Sequence, residues 1–456
     1  MAFDDPIAPP DERREAGRAV RKLVKRTAHA EWSPPADRLD PIEVLVESSR
    51  TRDQSLVPLR FQRMAQSPFA FYRGSALVMA YDLVNTPTTG IVVQLCGDAH
   101  LANFGVFKAP DRRLVFDLND FDETFPGPFC WDLKRLVASF ALAARATGLD
   151  RSASRASVLA AVNSYSAWMD RYSAMTHLDV WYQRLDVSDM LEYLGPGARR
   201  RQERAVTEAE LKDHLRAQSK LTVLHADGRR RIIPSPPIIE RVPSHAVQER
   251  LEDAFTRYRA SLAPDRQALF DRYRFVDFAR KVVGVGSVGT RCWMALFQGP
   301  NGGPLFLQVK EARDAAPQLA QGAKPAKHQG KRVVDGQREL QPVADLLLGW
   351  LTDPLEGIDY YVRQLWDAKG SVDLAGLGPK AFNNYAQACG WALARAHART
   401  GDSAMISGYL GGTSRFGESL ADFAEAYADQ AERDHALLVA AVERGVIKTM
   451  PDPKAP

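Results

Sequence analysis

The chain has few of the features that mark membrane, secreted or nucleic-acid-binding proteins. Its 456 residues contain no apolar run near the ~18 residues of a membrane span, and residues 1–10 lack the basic-then-apolar pattern of a signal peptide. The four cysteines form no C-x-x-C pair, so neither a disulfide framework nor a zinc site is indicated. The net charge of +4 is too small to favour a nucleic-acid partner. We therefore expect a cytoplasmic protein that binds neither membranes nor nucleic acids.

What the chain does have is enough apolar sequence for a large core, since 45% of its residues are hydrophobic and 25% are charged. Apolar periodicity predicts helices over residues 132–148, 154–175, 188–194 and 417–445, and residues 318–331 are predicted to form a mobile loop. The two densest basic runs are predicted to be solvated faces; they are Arg199–Arg201 and Arg229–Arg231.

Residues 94–124 concentrate side chains that handle metal ions and protons. The groups are Asp98, His100, Asn103, Asp117, Asp120, Asp122 and Glu123. Apolar runs at residues 91–93 and 114–116 predict two strands, so the loops that follow them can converge at one end of a sheet. This density predicts a catalytic or metal site here, and the alternative is a hairpin whose acids only cap turns.

A second feature is a set of three glycines, Gly284, Gly286 and Gly289, at G-x-G-x-x-G spacing with Ser287 between them. Such a loop brings backbone N–H groups close to phosphate oxygens, because glycine lacks a Cβ atom. A dinucleotide fold would begin a helix at the third glycine, but residues 291–298 are aromatic-rich and indicate a strand. The pattern predicts a glycine-rich β-hairpin followed by a strand that carries Lys310, and it disfavours a dinucleotide oxidoreductase.

Together these segments resemble the protein-kinase-like superfamily, particularly small-molecule kinases of the aminoglycoside and choline kinase type. Residues 97–103 resemble the catalytic loop H-G-D-x-H-x-x-N, residues 119–122 resemble the I-D-F-[DE] segment, and residues 131–136 resemble the helix that follows it. The pattern from residues 67–74 to 423–430 also resembles an uncharacterised bacterial family of unknown function placed among the kinase-like proteins.

The resemblance implies a role for each matched residue. Asp98 would orient or deprotonate an acceptor hydroxyl, Asn103 would bind magnesium (Mg2+), and Asp120 would bridge the metal to the phosphates of ATP. The remaining assignments put Asp122 with the metal, Gly284, Gly286, Ser287, Gly289 and Lys310 on the nucleotide, Glu339 beside Lys310, and His100 in the catalytic loop.

Several assignments have open alternatives. Asp117 competes with Asp120 for the metal, and His100 is either a structural histidine of the loop or a metal ligand or proton carrier. Arg73 could contact a phosphate or pair with a site acid. Cys96 stands where these kinases have a histidine, so the contact of that histidine with the metal-binding loop is either lost or replaced.

The order of the motifs implies circular permutation, because the lysine strand normally precedes the catalytic loop. The resulting prediction is an α+β, bilobal, kinase-like fold with a small antiparallel β lobe and a larger, mainly helical lobe. Residues 1–54 would form a helical arm, 55–265 the catalytic and metal-binding lobe, 266–370 the nucleotide-binding β lobe, and 371–456 the helices that complete the helical lobe. The strand at residues 360–365 should then lie beside the lysine strand, and the helix at 384–397 should pack near Asp98.

The function expected from these features is ATP- and magnesium-dependent phosphoryl transfer to an unidentified hydroxyl-bearing small molecule or protein. One alternative is a kinase-like protein that transfers AMP or only senses nucleotide. Another is a metal-dependent hydrolase built on Asp98, His100, Asp117 and Asp120, although such an enzyme has no use for a phosphate-binding loop.

Overall fold

The computed structural model describes residues 8–188, 220–225, 230–241, 248–282, 284–365, 370–371, 374, 376–412 and 414–453. Within these ranges the chain is a mixed α+β structure with small antiparallel sheets. Most of the helix predicted at 188–194, the arginine run at 199–201 and Arg229 lie outside the described residues.

The helices are α1 (Pro10–Leu23), α2 (Pro41–Glu47), α3 (Val57–Ala65), α4 (Pro68–Gly74), α5 (Ala76–Val84), α6 (Phe129–Ala146), α7 (Arg151–Ser173), α8 (His177–Tyr182), α9 (Gln248–Ser261), α10 (Pro264–Phe270), α11 (Ala316–Ala320), α12 (Gln329–Leu340), α13 (Pro379–Thr400), α14 (Ser403–Leu410) and α15 (Arg415–Glu443). The strands are β1 (Val92–Leu95), β2 (Phe104–Lys108), β3 (Leu114–Leu118), β4 (Phe125–Pro128), β5 (Thr222–Leu224), β6 (Arg230–Ile232), β7 (Ile239–Arg241), β8 (Arg274–Lys281), β9 (Cys292–Gln298), β10 (Pro304–Glu311), β11 (Gly349–Thr352), β12 (Asp359–Gln364) and β13 (Gly370–Ser371).

A six-stranded antiparallel sheet has the strand order β11-β12-β10-β9-β8-β7. The predicted hairpin is confirmed: β8 and β9 flank the glycine loop, and β10 carries Lys310. The prediction that residues 360–365 lie beside the lysine strand is also confirmed, because β12 pairs with β10 and Tyr361 lies opposite Lys310. One face of the sheet is covered by α9 and α10 through an aromatic cluster of Phe255, Tyr258, Phe270 and Phe297.

The helical unit is built around α6, whose residues from Phe129 to Ala144 are all buried. A helix that is buried on every side must lie at the centre of a bundle, and α7 and α15 pack against it. Helix α13 crosses α7 closely at Gly390, where an added Cβ atom would lie 2.1 Å from the Ala161 carbonyl oxygen. Glycine at this position therefore permits the crossing that brings α13 against the loop containing Asp98.

Two small antiparallel ribbons carry the acidic segments, and here one prediction was wrong. Residues 91–93 and 114–116 do not share a sheet, because β1 pairs with β4 while β3 pairs with β2. The sequence signal for β4 is weak, since its four residues Phe-Pro-Gly-Pro include types that disfavour strands. The two acidic loops nevertheless meet, because the Asn119 N–H donates to the Asn103 carbonyl oxygen at 2.8 Å.

The segment at 318–331, predicted to be a mobile loop, is partly helical. Helix α11 extends to Ala320, and α12 begins at Gln329 after an N-terminal cap by the His328 side chain. The predicted helices at 132–148, 154–175 and 417–445 correspond to α6, α7 and α15, each beginning a few residues earlier.

Candidate active site

A cavity of about 1480 Å³ lies where the six-stranded sheet faces the helical unit. The helical unit lines it with Asp98, His100, Asn103, Asp120 and Asp122. The sheet contributes Gly284, Gly286 and Ser287, and the N-terminal part of the chain contributes residues between Leu39 and Arg73. The structure therefore brings the two sequence motifs to one cavity, although they are almost two hundred residues apart.

The loop at residues 96–103 is held through its backbone N–H groups, which donate to side chains of α6. The Asp132 carboxylate, at the start of α6, accepts the N–H groups of Cys96 at 2.7 Å and Gly97 at 2.9 Å. The Ser139 hydroxyl, two turns along α6, accepts the Leu101 N–H at 2.9 Å. Since both acceptors belong to one buried helix, the loop is fixed relative to the centre of the bundle.

Helix α13 supports the same loop, as predicted for residues 384–397. The Tyr385 hydroxyl donates to the Leu101 carbonyl oxygen at 2.6 Å, and His397 Nε2 lies 3.2 Å from Asp132 Oδ2. The second ring nitrogen of His397 contacts the Tyr165 hydroxyl at 2.9 Å. A buried chain of polar groups thus runs from α7 to the loop.

Cys96 links this loop to the acidic segment that follows β3. Its thiol donates to the Asp120 carbonyl oxygen at 3.3 Å. The thiol therefore ties the loop at residues 96–103 to the backbone of the acidic segment. Burial raises the pKa of Cys96 well above its usual range, so the thiol stays protonated and can donate.

Asp98 is held by an arginine that the sequence did not single out. Arg135 Nε donates to Asp98 Oδ1 at 2.8 Å, and its guanidinium lies 3.8 Å above the Tyr72 ring. Burial raises the pKa of the Asp98 carboxyl, while Arg135 opposes this shift. The available signal was helical spacing, because Arg135 follows Asp132 by three residues and so lies on the same face of α6.

His100 is buried beside Asp98, with Nε2 3.7 Å from Asp98 Oδ2 and its ring edge-on to Phe69. Burial lowers the pKa of His100 well below its usual range, so the ring is neutral at pH 7.

Lys310 meets two of the predicted metal-binding acids. Its Nζ forms an ion pair with Asp122 and lies 4.0 Å from Asp120 Oδ2, and only 2% of the lysine side chain is exposed. The Tyr361 hydroxyl donates to the other Asp122 oxygen at 2.7 Å. Desolvation lowers the pKa of Lys310, but the charges of Asp120 and Asp122 outweigh it and raise this pKa well above its usual value. The lysine therefore remains a cation beside two acids that line the cavity.

The structure does not bring Glu339 to Lys310, and this pairing was wrong. Glu339 lies on the exposed face of α12, and its carbonyl oxygen accepts from Arg399 Nε at 2.7 Å. Glu339 was chosen by the sign of its charge, and charge alone does not predict which face of a helix a residue occupies. The acids that meet the lysine come instead from the segment after β3.

Asp117 is also separated from the cavity. Its carboxylate pairs with Arg395 Nη2 at 2.6 Å in the core, and the residue is 1% exposed. Side chains alternate along a strand, so Asp117 on β3 points to α13 while Asp120, beyond the end of the strand, lines the cavity. Of these two acids, Asp120 therefore faces the cavity and Asp117 does not.

The glycine loop is held through its carbonyl groups. Arg63 Nη1 donates to Gly284 at 2.7 Å, and Arg52 Nη1 donates to both Gly286 and Val288 at 2.8 Å. Within the described residues, the N–H groups of Gly286, Ser287 and Gly289 have no acceptor. The loop therefore keeps hydrogen-bond donors available at the cavity.

Gly289 affects the conformation of this loop from a position outside the cavity. It has a φ of +85°, and an added Cβ atom would lie 3.1 Å from the Arg52 Cβ atom. It does not line the cavity, in contrast to Gly284, Gly286 and Ser287. Its importance is conformational, because this backbone geometry is strained for other residues.

Arg73 lines the cavity, and its guanidinium does not form the ion pair with a site acid that was one of its two predicted roles. It forms no hydrogen bond or ion pair with the described residues, and its Nε is buried. The charges of Asp98 and Asp120 raise the pKa of Arg73, but burial has the larger effect and lowers it. The guanidinium is thus close to the acids but in contact with neither.

The fold and the site define a mixed α+β protein with acids, a lysine and a glycine loop around one cavity. Residues 52–441 match the model of a family described as uncharacterised protein conserved in bacteria, DUF2252, and the chain belongs to that family. Neither a curated protein nor a solved structure matches the chain.

Two features are absent from the described ranges. No helix there is both long and apolar enough to cross a membrane. No group of three or more His, Cys, Asp or Glu side chains there is arranged to hold a metal ion.

Proposed function

We propose that this protein is an ATP- and magnesium-dependent phosphotransferase of the protein-kinase-like type. The observation that carries the proposal is the meeting of Lys310 with Asp122, a residue 188 positions earlier in the chain, beside Asp120. Phosphoryl transfer depends mainly on positioning and on neutralising charge at the phosphates. A buried lysine, carboxylates and unpaired backbone donors around one cavity supply these needs.

The residues present fit a magnesium ion bound to phosphates. Asn103 Nδ2 donates to the Asp98 carbonyl oxygen at 2.7 Å, which leaves the Asn103 amide oxygen as the available ligand. Asp120 offers a carboxylate in the same cavity. Magnesium prefers oxygen ligands and is commonly held by one or two protein groups plus substrate phosphates, so no larger protein cluster is required. When bound, the ion would neutralise charge on the phosphate oxygens.

The nucleotide phosphates would be held from the side of the sheet. Lys310 supplies a fixed positive charge, and the unpaired N–H groups of Gly286 and Ser287 supply hydrogen-bond donors at the cavity. Asp122, which now balances Lys310, keeps the lysine in place before a phosphate arrives. Because the lysine, the acids and the N–H donors lie close together, they suit a triphosphate better than a monophosphate, which carries less charge.

Asp98 would act on the acceptor. Its Oδ1 is held by Arg135, so the carboxylate is fixed in orientation before an acceptor arrives. The raised pKa of this buried carboxyl brings it closer to the range in which a base can accept a proton at neutral pH. The Asp98 carboxylate would therefore orient the acceptor hydroxyl and receive its proton.

A circularly permuted kinase-like chain accounts for the order of these elements. The six-stranded sheet would be the small lobe, β12 would lead to the connection between lobes, and α13 would be the helix that supports the catalytic loop. The contact of Tyr385 on α13 with Leu101 supports this correspondence, as does the pairing of β12 with β10. The alternative of a metal-dependent hydrolase is less well supported, because Asp117, one of its four proposed residues, is paired with Arg395 in the core.

The test is thermal unfolding of the purified protein with magnesium and ATP, and with NAD in place of ATP. A ligand at about 100 times its Kd that binds only the folded protein should stabilise it by about 2.7 kcal/mol. We expect ATP with magnesium to raise the Tm and NAD to leave it unchanged. No shift with any purine nucleotide, in magnesium or manganese, would overturn the proposal.

Two variants separate the roles of the acids. Asp120→Ala should abolish the metal-dependent shift, while Asp98→Asn should keep the shift and lower ATP turnover by on the order of a hundredfold, because Asp98 acts on the acceptor. Equal loss of nucleotide binding in both variants would contradict these roles. Formation of ADP supports phosphoryl transfer, whereas formation of AMP would indicate the alternative of AMP transfer.

A further inference from the structure

Three arginines, Arg52, Arg60 and Arg73, line the same cavity and have no carboxylate partner among the described residues. Arg60 is 2% exposed and donates only to the Ser49 hydroxyl and the Gly74 carbonyl oxygen. Such neutral acceptors satisfy N–H groups but do not balance a charge.

Arg52 and Arg73 also lack a contacting acid, but they differ in how many hydrogen bonds their side chains donate. All the hydrogen bonds that Arg52 donates go to backbone carbonyl oxygens, and Arg73 donates none. Buried charges in proteins are normally paired, because removing an ion from water costs several kcal/mol unless another charge compensates. Three arginines that line one cavity without a contacting acid therefore point to an anion that the protein binds.

Contacts with the backbone place the three arginine residues along one wall of the cavity, at the glycine loop. Arg52 holds the Gly286 carbonyl at 2.8 Å, and an added Cβ atom on Gly286 would lie 3.1 Å from the Arg73 carbonyl oxygen. Arg60 holds the carbonyl of Gly74, the residue after Arg73, at 2.9 Å. The wall is therefore assembled around the glycine loop, close to Asp98 and Asp120.

Burial lowers the pKa of all three arginines, that of Arg52 to about 10. The repulsion of Arg52 and Arg313 contributes to the shift at Arg60. Arginine keeps its charge at pH 7 in proteins, so an anion bound in this cavity would offset the cost of burying these charges.

We propose that Arg52, Arg60 and Arg73 form an anion subsite for the acceptor, so that the acceptor is a hydroxyl compound bearing a phosphate or carboxylate group. This inference rests on the proposed function, in which Lys310 and the N–H groups of the glycine loop bind the nucleotide phosphates. Those groups leave the arginines for a second anion, and Arg73 lies near enough to Asp98 for the charge of that carboxylate to affect it. Cationic acceptors are disfavoured, because like charges repel.

The experiment measures binding of inorganic phosphate and of citrate by calorimetry at constant ionic strength. It is done with and without a saturating magnesium complex of an ATP analogue that cannot be hydrolysed. The variant Arg73→Gln removes the charge, Arg73→Lys retains it, and Arg50→Gln is the matched control. Arg50 lies at the rim of the same cavity, where it pairs with Glu47 and is 71% exposed.

We expect the wild-type protein to bind at least one of the two anions with the nucleotide analogue present. Arg73→Gln should weaken this binding about ten- to a hundredfold, the range for loss of a hydrogen bond to a charged group. Arg73→Lys should recover part of it, and Arg50→Gln should bind as the wild type does. If Arg73→Gln fails to fold, the Lys variant and the wild-type measurement still decide the question.

Three results would overturn the acceptor subsite: absence of anion binding to the wild type, equal losses in Arg73→Gln and Arg50→Gln, or competition between the anion and the nucleotide analogue. Competition would show that the arginines serve the triphosphate. Failure of the proposed function looks different, because the nucleotide analogue would then not bind at all, whether or not phosphate still binds through Arg73.

Discussion

The two loops that face the cavity are held in opposite ways. The loop at residues 96–103 is held by acceptors on α6, Asp132 and Ser139, which bind its N–H groups. The glycine loop is held by donors, Arg52 and Arg63, which bind its carbonyl groups.

This difference decides what each loop can offer a ligand. A loop whose N–H groups are already bonded presents its side chains, here the carboxylate of Asp98 and the amide of Asn103. A loop whose carbonyl groups are already bonded presents its N–H groups, which suit an anion. Whether a loop offers N–H groups or side chains to a ligand therefore depends on the elements that it packs against as well as on its own sequence.

The largest effect should come from placing a methyl group in the rigid loop. Gly97 has a φ of +83°, and an added Cβ atom would lie 1.9 Å from the Glu123 carbonyl oxygen. Because backbone strain and a backbone clash combine, Gly97→Ala should lower the free energy of unfolding by on the order of 4 kcal/mol. Denaturant unfolding measures this change.

Gly90→Ala is the control for that experiment. Gly90 also has a positive φ, +70°, but an added Cβ atom would meet nothing within 4 Å. It should cost only about 1 kcal/mol, since strain acts there without a clash. Equal costs at the two positions would show that the loop at residues 96–103 can move away from Glu123.

A smaller effect on stability should follow the ionisation of Glu123, which belongs to the acidic segment after β3. Burial raises its pKa from about 4.5 to about 7. A carboxyl with a raised pKa in the folded state contributes stability below about pH 4.5 that is lost as the pH rises through about 7. The free energy of unfolding should therefore fall between pH 5 and pH 8 by on the order of 2 kcal/mol from this group.

Glu123→Gln should flatten that part of the stability curve when unfolding is measured at several pH values. The exposed Glu443, at the end of α15, gives the matched variant Glu443→Gln, which should leave the wild-type slope intact. An unchanged slope in Glu123→Gln would assign the pH dependence to another group.

The smallest change in stability should occur in the glycine loop. Gly286 does not have a positive φ, and its nearest neighbour to an added Cβ atom is the Arg73 carbonyl oxygen at 3.1 Å. Gly286→Ala should therefore alter the free energy of unfolding by less than about 1 kcal/mol. Binding of ATP with magnesium should weaken about tenfold, because the methyl group obstructs the approach of a phosphate to the N–H groups.

Gly412→Ala controls for the effect of alanine on a glycine-containing segment. An added Cβ atom there meets nothing within 4 Å, and the residue does not line the cavity. It should leave ATP binding unchanged. Severe destabilisation by Gly286→Ala, with nucleotide binding intact, would reverse the expected contrast between the loops.

Local patterns in the sequence predicted the parts of the molecule that depend on near neighbours. Aromatic-rich and apolar runs predicted β9 and β10, and helical periodicity predicted α6, α7 and α15. The same approach failed for the pairing of residues 91–93 with residues 114–116, because the partner strand β4 carries prolines and glycine. Which strands pair depends on segments whose own signals are weak.

The candidate site was predictable in its residue types but only partly in its contacts. The motifs pointed to Asp98, Asn103, Asp120 and Lys310. The structure places the first three in the lining of one cavity and Lys310 beside Asp120. Glu339 was assigned by charge alone and lies elsewhere, while Arg135 was missed although its helical spacing from Asp132 was visible. Charge in a sequence does not reveal which partner a side chain will meet.

The sequence by itself therefore determined the chemical groups available, the glycine spacing and the strands and helices that carry them, because these depend on interactions between residues close along the chain. Only the tertiary structure decided that Asp117 pairs with Arg395 in the core while Asp122 pairs with Lys310 at the cavity. It also decided that Arg52 and Arg60 donate to neutral oxygen atoms rather than to acids. These choices depend on which surfaces pack together across long separations in the chain, and burial then makes each resulting charge contact costly to change.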